Sequence, residues 1–195
     1  MIGFRSPAGF DSLTGRLLVA MPGIGDPRFE QAVILICAHG PDHAMGLRVD
    51  RPAPGVDLSG VLKKLQTPGF GEGDGRPVLI GGPVERERGF VLHTADWMVE
   101  DTSVTVGEGL AMTSTREALA AMTDPVMGPR RAVLALGYAG WGDGQLEEEI
   151  ADNVWLTAEA DMDVLFDNDF GTKWTRALAG MGVDAARLSS QSGRA

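Results

Sequence analysis

The chain has 195 residues, of which 44% are hydrophobic and 23% are charged, and its mean hydropathy is near zero. This is the composition of a globular protein with a substantial core, and it excludes a disordered or fibrous chain. The longest apolar run, 32–38, is far shorter than the roughly 20 residues of a membrane span, so we expect no membrane association.

Length and cysteine content bound the organisation and the compartment. We predict a single domain over 1–195 whose last residues, 189–195, form a flexible tail. The single Cys37 excludes an internal disulfide, and the first 23 residues lack the pattern of a secretory signal. The sequence therefore predicts a cytoplasmic protein.

The charge is strongly acidic and uneven. The net charge is −10, and residues 98–195 carry seven Lys or Arg against sixteen Asp or Glu. Affinity for nucleic acid comes largely from neutralising phosphates, so this balance disfavours direct DNA binding. On a strand, Arg86 and Arg88 share one face, either as a small basic stripe or as the charged face of an edge strand. The sequence leaves open whether they converge with Arg130 and Arg131 into one basic patch.

Short strands separated by Gly/Pro loops dominate the chain, with a few helices between them. Strands are predicted over 17–21, 31–39, 44–49, 77–83, 88–93, 103–106, 110–113, 130–137 and 153–158. The short loops between 31–39 and 44–49 and between 103–106 and 110–113 predict two hairpins. Helices are predicted over 57–66, 114–122, 145–152, 161–166 and 172–182. Loops are predicted over 51–55 and 67–77, and Ser114 with Glu117 matches a capping box. About eight or nine strands and four or five helices in irregular order indicate an α+β fold with a mixed sheet. The segment 130–137, which is apolar after its two leading arginines, is predicted to be a central strand.

The segment "LALGYAGWGDGQLEEEI" (134–150) has the order strand, glycine loop, helix, which is also the order of many phosphate sites. Glu147, Glu148 and Glu149 lie where a phosphate would bind, however, and the loop contains no Lys. Its glycines, at 137, 140, 142 and 144, also miss the spacing of the dinucleotide and P-loop motifs. We predict a tight turn into a well-capped helix.

Other polar residues allow several alternatives. Tyr138 and Trp141 are either exposed for recognition or part of the core. One alternative is a zinc site formed by Cys37, His39 and His43, with His93 as a further ligand. The spacing of these residues does not match known zinc motifs, which favours a buried thiol beside two solvated histidines. His93 and Glu147 are a conceivable acid/base pair. No catalytic residue, metal or cofactor is predicted, and a non-enzymatic protein is favoured.

The chain resembles the YqgE/AlgH family of bacterial proteins in "LTGRLLVAMPGIGDPRFEQAVILICAH", "VLIGGPVERERGFVLHT" and "VLALGYAGWGDGQLEEEIADNVWL", in order and over nearly its whole length. The resemblance implies an α+β fold with a largely antiparallel, bifurcated sheet wrapped into a partial barrel with flanking helices. It also implies a role in transcriptional regulation linked to exopolysaccharide control, with no established catalytic residues. Asp50 departs from the family, in which Asn is usual, and the loop containing His43 is particular to this chain.

Two functional hypotheses follow. The first is a regulator that binds an unknown protein or small molecule, as a monomer or weak homo-oligomer. The second is an enzyme or metabolite-binding protein whose pocket lies between the GGPV/GFVLH and GYAGW/GQLE motifs. Its candidate residues are His93, Tyr138, Trp141, Gln145 and Glu147, with the motif glycines Gly81, Gly82, Gly137, Gly140 and Gly144. Alternatively, these motifs only specify the fold.

Overall fold

The computed structural model describes residues 11–65 and 75–188. Its strands are β1 (Arg16–Ala20), β2 (Val33–Gly40), β3 (His43–Arg48), β4 (Pro52–Asp57), β5 (Pro77–Ile80), β6 (Val84–Thr94), β7 (Ser103–Thr105), β8 (Leu110–Thr113), β9 (Ala132–Trp141) and β10 (Trp155–Glu159). Its α-helices are α1 (Leu58–Lys64), α2 (Arg116–Ala121), α3 (Gln145–Ala151), α4 (Met162–Phe166) and α5 (Lys173–Gly180). Most of the predicted glycine loop, 67–74, and the predicted tail, 189–195, lie outside the described residues.

All ten strands belong to one sheet, which curls into a half-barrel, so the predicted α+β class is confirmed. The main path is β10-β1-β2-β3-β9-β6-β8-β7, and every pair along it is antiparallel. The sheet branches at β9, which also pairs in parallel with β5, and β4 pairs with β5. The central position predicted for the strand over 130–137, which is β9, is therefore confirmed.

The predicted hairpins β2–β3 and β7–β8 are both present. The loop predicted over 51–55 is wrong, because β4 begins at Pro52. Within the part of the chain that the structure describes, β4 pairs with β5 alone, at two positions: Pro52 with Leu79 and Asp57 with Pro77. Prolines are tolerated there because an edge strand does not need every N–H for pairing.

Alternating side chains place the core on both faces of the sheet. In β1, Leu17 and Val19 pack into the cluster that includes α4 and α5, while Leu18 and Ala20 pack into the cluster under α3. A third cluster lies under α1 and α2. The sheet is thus covered on both sides, and its strand ends are left to form sites.

Two predicted helix caps need correction. The predicted capping box of α2 is wrong: Thr115, and not Ser114, accepts the hydrogen bond from the Ala118 N–H, which leaves Glu117 at the second helical position. The prediction that α3 is well capped is also wrong, because its N-cap is Gly144, with φ of 67° and no side chain to offer. The Gln145 side chain instead accepts from the Gly142 N–H at 3.1 Å.

Lys173 is a fully buried cation in α5. Its Nζ donates to the carbonyl oxygens of Val164 at 2.6 Å and Leu165 at 3.2 Å, which closes the C-terminal end of α4. Burial lowers the pKa of this amine to about 8, against the opposing field of Asp167. Among the helices of 11–65 and 75–188, none has the length and apolar composition needed to cross a membrane.

Candidate functional site

Residues 81–83, here called the GGP crossing, carry the chain from β5 on one edge of β9 to β6 on the other. The crossing passes directly over β9. A Cβ atom on Gly82 would fall on the Tyr138 carbonyl group, and one on Gly81 would fall on the Gly137 oxygen. Gly137 has φ of 72°, and its own Cβ would lie 2.7 Å from the oxygens of Gly82 and Val84. The two glycine motifs meet, but each motif's backbone occupies the space above the other.

The residues after the second motif form what we call the indole cluster: Trp141, Gln145, Glu149 and Trp155. The Glu149 Oε2 accepts hydrogen bonds from the indole nitrogens of Trp141 at 2.8 Å and Trp155 at 2.7 Å. The Gln145 amide donates to the other carboxylate oxygen at 2.8 Å. Both indoles are buried and pack edge to face. The cluster therefore fastens α3 to the sheet, with its polar groups bonded to one another.

Glu147 contacts His39, not His93. The His39 Nε2 lies 2.7 Å from the Glu147 carboxylate, and its Nδ1 accepts from the Leu13 N–H at 2.9 Å. The imidazole joins the segment before β1 to α3. The sequence offered no basis for this pairing, since the two residues lie 108 positions apart.

His93 is fully buried within β6, and its Nδ1 donates to the Thr94 carbonyl at 3.0 Å. Its Nε2 lies 2.9 Å from the Thr113 hydroxyl, which contacts Ser103 in turn. Burial lowers the pKa of the imidazole, and the neutral ring suits both bonds. His93 pairs with Ala132 at the start of β9, whereas Trp141 is nine residues further along. At about 3.3 Å per residue, roughly 30 Å of strand separates the two positions.

The remaining candidates lie near the motif crossing. Tyr138 is half-buried and packs edge to face against Phe90, with ring centroids 5.9 Å apart. Gly140 is exposed beside the Tyr138 ring, and Gly144 begins α3. The structure thus brings Trp141 and Gln145 together through Glu149. Tyr138 packs against Phe90 instead, and His93 lies towards the other end of β9.

A cavity of about 300 Å³ opens beside the GGP crossing. Four arginines line this cavity, here called the arginine pocket, and they come from different parts of the chain: Arg28, Arg48, Arg51 and Arg86. The side chains of Phe29, Ile80, Pro83 and Leu136 give it apolar walls, and Gly82 contributes backbone. The volume is at the small end of the range for ligand sites.

Two of these arginines are held by carboxylates. Arg48 is buried, and it binds Asp50 through Nε at 2.9 Å and Nη2 at 2.6 Å while donating through Nη1 to the Arg28 carbonyl. Asp50 also accepts from the Val33 N–H at 2.9 Å, so the residue that departs from the family pattern neutralises Arg48. Arg28 binds Asp26, and this contact lowers the pKa of the Asp26 carboxyl.

The other two arginines are not neutralised. Within 11–65 and 75–188, neither Arg51 nor Arg86 has a carboxylate at ion-pair distance, and both are exposed. The pocket therefore has a rigid, neutralised half and a half with free positive charge. Of its arginines, only Arg86 was considered from sequence, as part of a basic stripe. Sequence reasoning missed Arg28, Arg48 and Arg51, because these residues approach Arg86 only through the path of the chain at the GGP crossing.

A second cavity, of about 320 Å³, lies near the start of β9 and includes Arg130 and Arg131. Its cations are already engaged: Arg131 contacts Asp163 at 2.7 Å and Arg130 contacts Asp96 at 3.3 Å. It therefore offers little net charge to a ligand.

The four residues considered as zinc ligands do not form a metal site. In the described segments, no group of three or more His, Cys, Asp or Glu side chains is arranged to hold a metal ion. Cys37 is buried, and burial raises the pKa of its thiol to about 12, which disfavours the thiolate that zinc requires. The register of β2 against β3 shifts between Ile36 and Ala38. Because of this irregularity, the two-residue spacing of Cys37 and His39 does not place their side chains on the same face of the sheet.

A curled α+β half-barrel with a crossed glycine junction is thus the class of structure that these features define. Residues 17–186 match the sequence model of a protein family that is described as AlgH-like. The chain belongs to this family. It is 54% identical to a UPF0301 protein of Caulobacter vibrioides over 94% of each chain, and 50% identical to one of Ruegeria pomeroyi over 94% of this chain and 99% of that one.

Two solved structures share the fold. The solution structure of the AlgH protein from Pseudomonas aeruginosa is 36% identical, with a TM-score of 0.76 over 98% of this chain and 99% of that one. A crystal structure of a Corynebacterium diphtheriae protein, 22% identical, has a TM-score of 0.69 over 87% of each chain and supports the fold alone.

Proposed function

We propose that this protein is a cytoplasmic transcriptional regulator that acts by binding a small ligand or a protein partner, and not by direct contact with DNA. The chain belongs to the AlgH-like family. The regulatory role is supported by the link to exopolysaccharide control that the resemblance to YqgE/AlgH proteins implies. The single, buried Cys37 agrees with a reducing compartment. We further propose that the protein is a single domain and a monomer or weak homo-oligomer, which sedimentation velocity would test.

The pairing of the arginines carries the proposal. In the described segments, 11–65 and 75–188, eight arginines lie within ion-pair distance of a described carboxylate: Arg16, Arg28, Arg48, Arg88, Arg130, Arg131, Arg176 and Arg187. A DNA-binding surface needs cations that are free to replace the counterions of several phosphates. Arginines that already serve carboxylates, in a protein of net charge −10, supply that poorly.

The arginines that the sequence left open as one basic patch also separate. Arg86 lines the arginine pocket, and Arg130 and Arg131 line the second cavity. Arg88 contacts Glu85 at 3.0 Å and lies over the Phe90 ring. This distribution supports a local ligand site more than an extended basic surface.

Fluorescence polarisation with labelled promoter DNA at physiological salt and at two higher salt concentrations tests the proposal. We expect no binding tighter than about 1 µM, the strong end of non-specific DNA binding, and no sequence selectivity. Sub-micromolar, selective binding that weakens steeply with salt would overturn it.

A metabolite-binding protein is the second candidate, and the arginine pocket favours it. The pocket lies beside the junction of the two glycine motifs, not between them, because their backbones are in contact. In this alternative the ligand is the cargo or substrate of the protein, and not a regulatory signal. A ligand that is chemically converted by the purified protein would favour this alternative over the regulator.

A further inference from the structure

The two free guanidinium groups of the arginine pocket frame a cavity with apolar walls. Arg51 lies at the start of the β4 branch, and Arg86 lies on β6 beyond the GGP crossing, so the chain reaches the cavity from two directions. Among the described residues, both side chains lack a carboxylate at ion-pair distance, so they give this one cavity two positive charges that the protein itself does not neutralise. An anionic ligand in the cavity would pair with both side chains, since hydrogen bonds between a guanidinium group and an anion are charge-assisted.

The charge balance indicates how much negative charge the ligand carries. Four arginines line the cavity, and two of them are neutralised, Arg28 by Asp26 and Arg48 by Asp50. Two positive charges are left over. A carboxylate supplies one negative charge, whereas a phosphate monoester carries about 1.5 to 2 at neutral pH and offers oxygens to two guanidinium forks.

The walls indicate what the anionic group is attached to. The side chains of Phe29, Ile80 and Leu136 face the same cavity as the guanidinium groups. Inorganic phosphate would leave this apolar surface in contact with water. A ligand with an aromatic or aliphatic body would remove it from water, at about 25 cal/mol for each Å² buried.

The rigid half of the pocket has a positioning role. Arg48 uses Nε and Nη2 on Asp50 and Nη1 on the Arg28 carbonyl, so it has little left to offer a ligand. It fixes the segment that carries Phe29, whose ring also packs edge to face on Trp155 at 5.8 Å. One apolar wall is thereby held in place before a ligand arrives, which lowers the ordering cost of binding.

We propose that the arginine pocket binds a small organic phosphate monoester, with its phosphate between Arg51 and Arg86 and its apolar body against Phe29, Ile80 and Leu136. This inference rests on the proposed function, in which the protein acts through a bound ligand or partner. It adds the chemical class of the ligand and the residues that select it.

Isothermal titration calorimetry with phenyl phosphate tests the site, because this probe combines the dianion with an aromatic body. We expect a dissociation constant below about 1 mM, within reach of a small ligand. Inorganic phosphate and benzoate should each bind at least about tenfold more weakly, the first for lack of apolar contact and the second for lack of the second charge.

Matched variants locate the binding. We expect Arg51→Gln and Arg86→Gln each to weaken phenyl phosphate binding by about tenfold or more, because each removes one charge-assisted contact. Arg88→Gln is the control, since Arg88 lies two residues from Arg86 but serves Glu85. It should change the affinity by less than about twofold. All three substituted side chains are largely exposed, so the variants should fold.

Three outcomes would overturn the proposal: no binding of phenyl phosphate to the folded protein, unchanged binding in both pocket variants, or equal affinity for benzoate. Equal affinity for inorganic phosphate would overturn the role of the apolar walls. The two proposals fail separately. DNA binding would contradict the proposed function and leave the pocket intact, whereas a pocket that ignores phenyl phosphate leaves the DNA result unchanged.

Discussion

The indole cluster and the arginine pocket lie on the same sheet, and they treat their polar groups in opposite ways. In the indole cluster, the Glu149 carboxylate accepts from Trp141, Trp155 and Gln145, so donors and acceptor satisfy one another. In the arginine pocket, Arg51 and Arg86 are left with free charge beside apolar walls. A region whose bonds close on themselves stabilises the fold, whereas a region with free donors is ready for a ligand.

This difference shows why conspicuous sequence motifs can mislead a search for function. The glycines, Tyr138 and Trp141 of 134–150 resemble a ligand site, yet their environment is that of packing. The arginines of the pocket belong to no local motif. Substitutions that separate stability from binding therefore test the contrast between the two regions.

The largest effect is expected at the GGP crossing. Gly82→Ala places a Cβ atom on the backbone of Tyr138, where nothing flexible can move aside. We expect a loss of more than about 4 kcal/mol in the free energy of unfolding, or no folded protein. Gly142→Ala is the matched control, because nothing lies within 4 Å of the added atom, and it should cost less than about 0.5 kcal/mol. Urea denaturation measures both, and similar losses would contradict the crossing as a structural device.

Within the arginine pocket, the two halves should respond differently. Arg48→Gln leaves Asp50 buried without its cation, and we expect a loss of about 3 kcal/mol in the free energy of unfolding. Arg51→Gln removes an exposed cation with no carboxylate partner and should change stability by less than about 0.5 kcal/mol. Thermal unfolding of both variants checks this, and equal destabilisation would mean that Arg51 is also a structural residue.

In the indole cluster, Glu149→Ala removes the acceptor of two indole N–H groups. We expect a loss of about 2 kcal/mol in the free energy of unfolding, reduced from the full cost of two orphaned donors because the site is partly exposed. Glu148→Ala, one residue earlier in α3 and exposed, should cost less than about 1 kcal/mol. Chemical denaturation distinguishes the two, and a stable Glu149→Ala protein would show that the cluster does not hold α3 to the sheet.

The smallest effect concerns His93. Burial lowers the pKa of its imidazole in the folded protein, so below about pH 6.5 the unfolded chain binds a proton more readily than the folded one. The stability of the wild type should therefore fall as the pH drops from 6.5 towards 5, and His93→Gln should remove this part of the decline. Urea unfolding of both proteins at pH 8, 6.5 and 5 measures it. His39 and His43 are present in both, so parallel curves would exclude a contribution from His93.

The fold could be predicted from the sequence wherever the pattern of apolar residues along a segment indicates which of its side chains are buried. The central strand after Arg131 and the two hairpins were predicted correctly, because a strand covered on both faces is apolar along most of its length and a hairpin needs only a short polar loop. The strand at Pro52 was not predictable, since its pairing depends on β5, which is distant in sequence. The cap at Thr115 was missed because Ser114 and Thr115 are both good N-caps and packing decides between them.

The arrangement of the candidate site was less predictable than the fold. Gly82 and Gly137 were singled out from the sequence as motif glycines, but a glycine allows a close approach equally well by a ligand or by another backbone. Nothing local in the sequence indicates that Arg51 and Arg86 line one cavity. Their proximity depends on the chain crossing β9, which is a property of the three-dimensional path.

The most direct measurement is a titration of the ¹⁵N-labelled protein with phenyl phosphate, followed by two-dimensional ¹H–¹⁵N correlation spectra. The account predicts saturable shifts in the backbone signals of Phe29, Arg51, Gly82 and Arg86, with the Trp141 indole and Gln145 side-chain signals unmoved. Shifts centred on Trp141 and Gln145 would place the ligand site at the glycine and tryptophan motif. An unchanged spectrum would contradict a phosphate-binding pocket altogether.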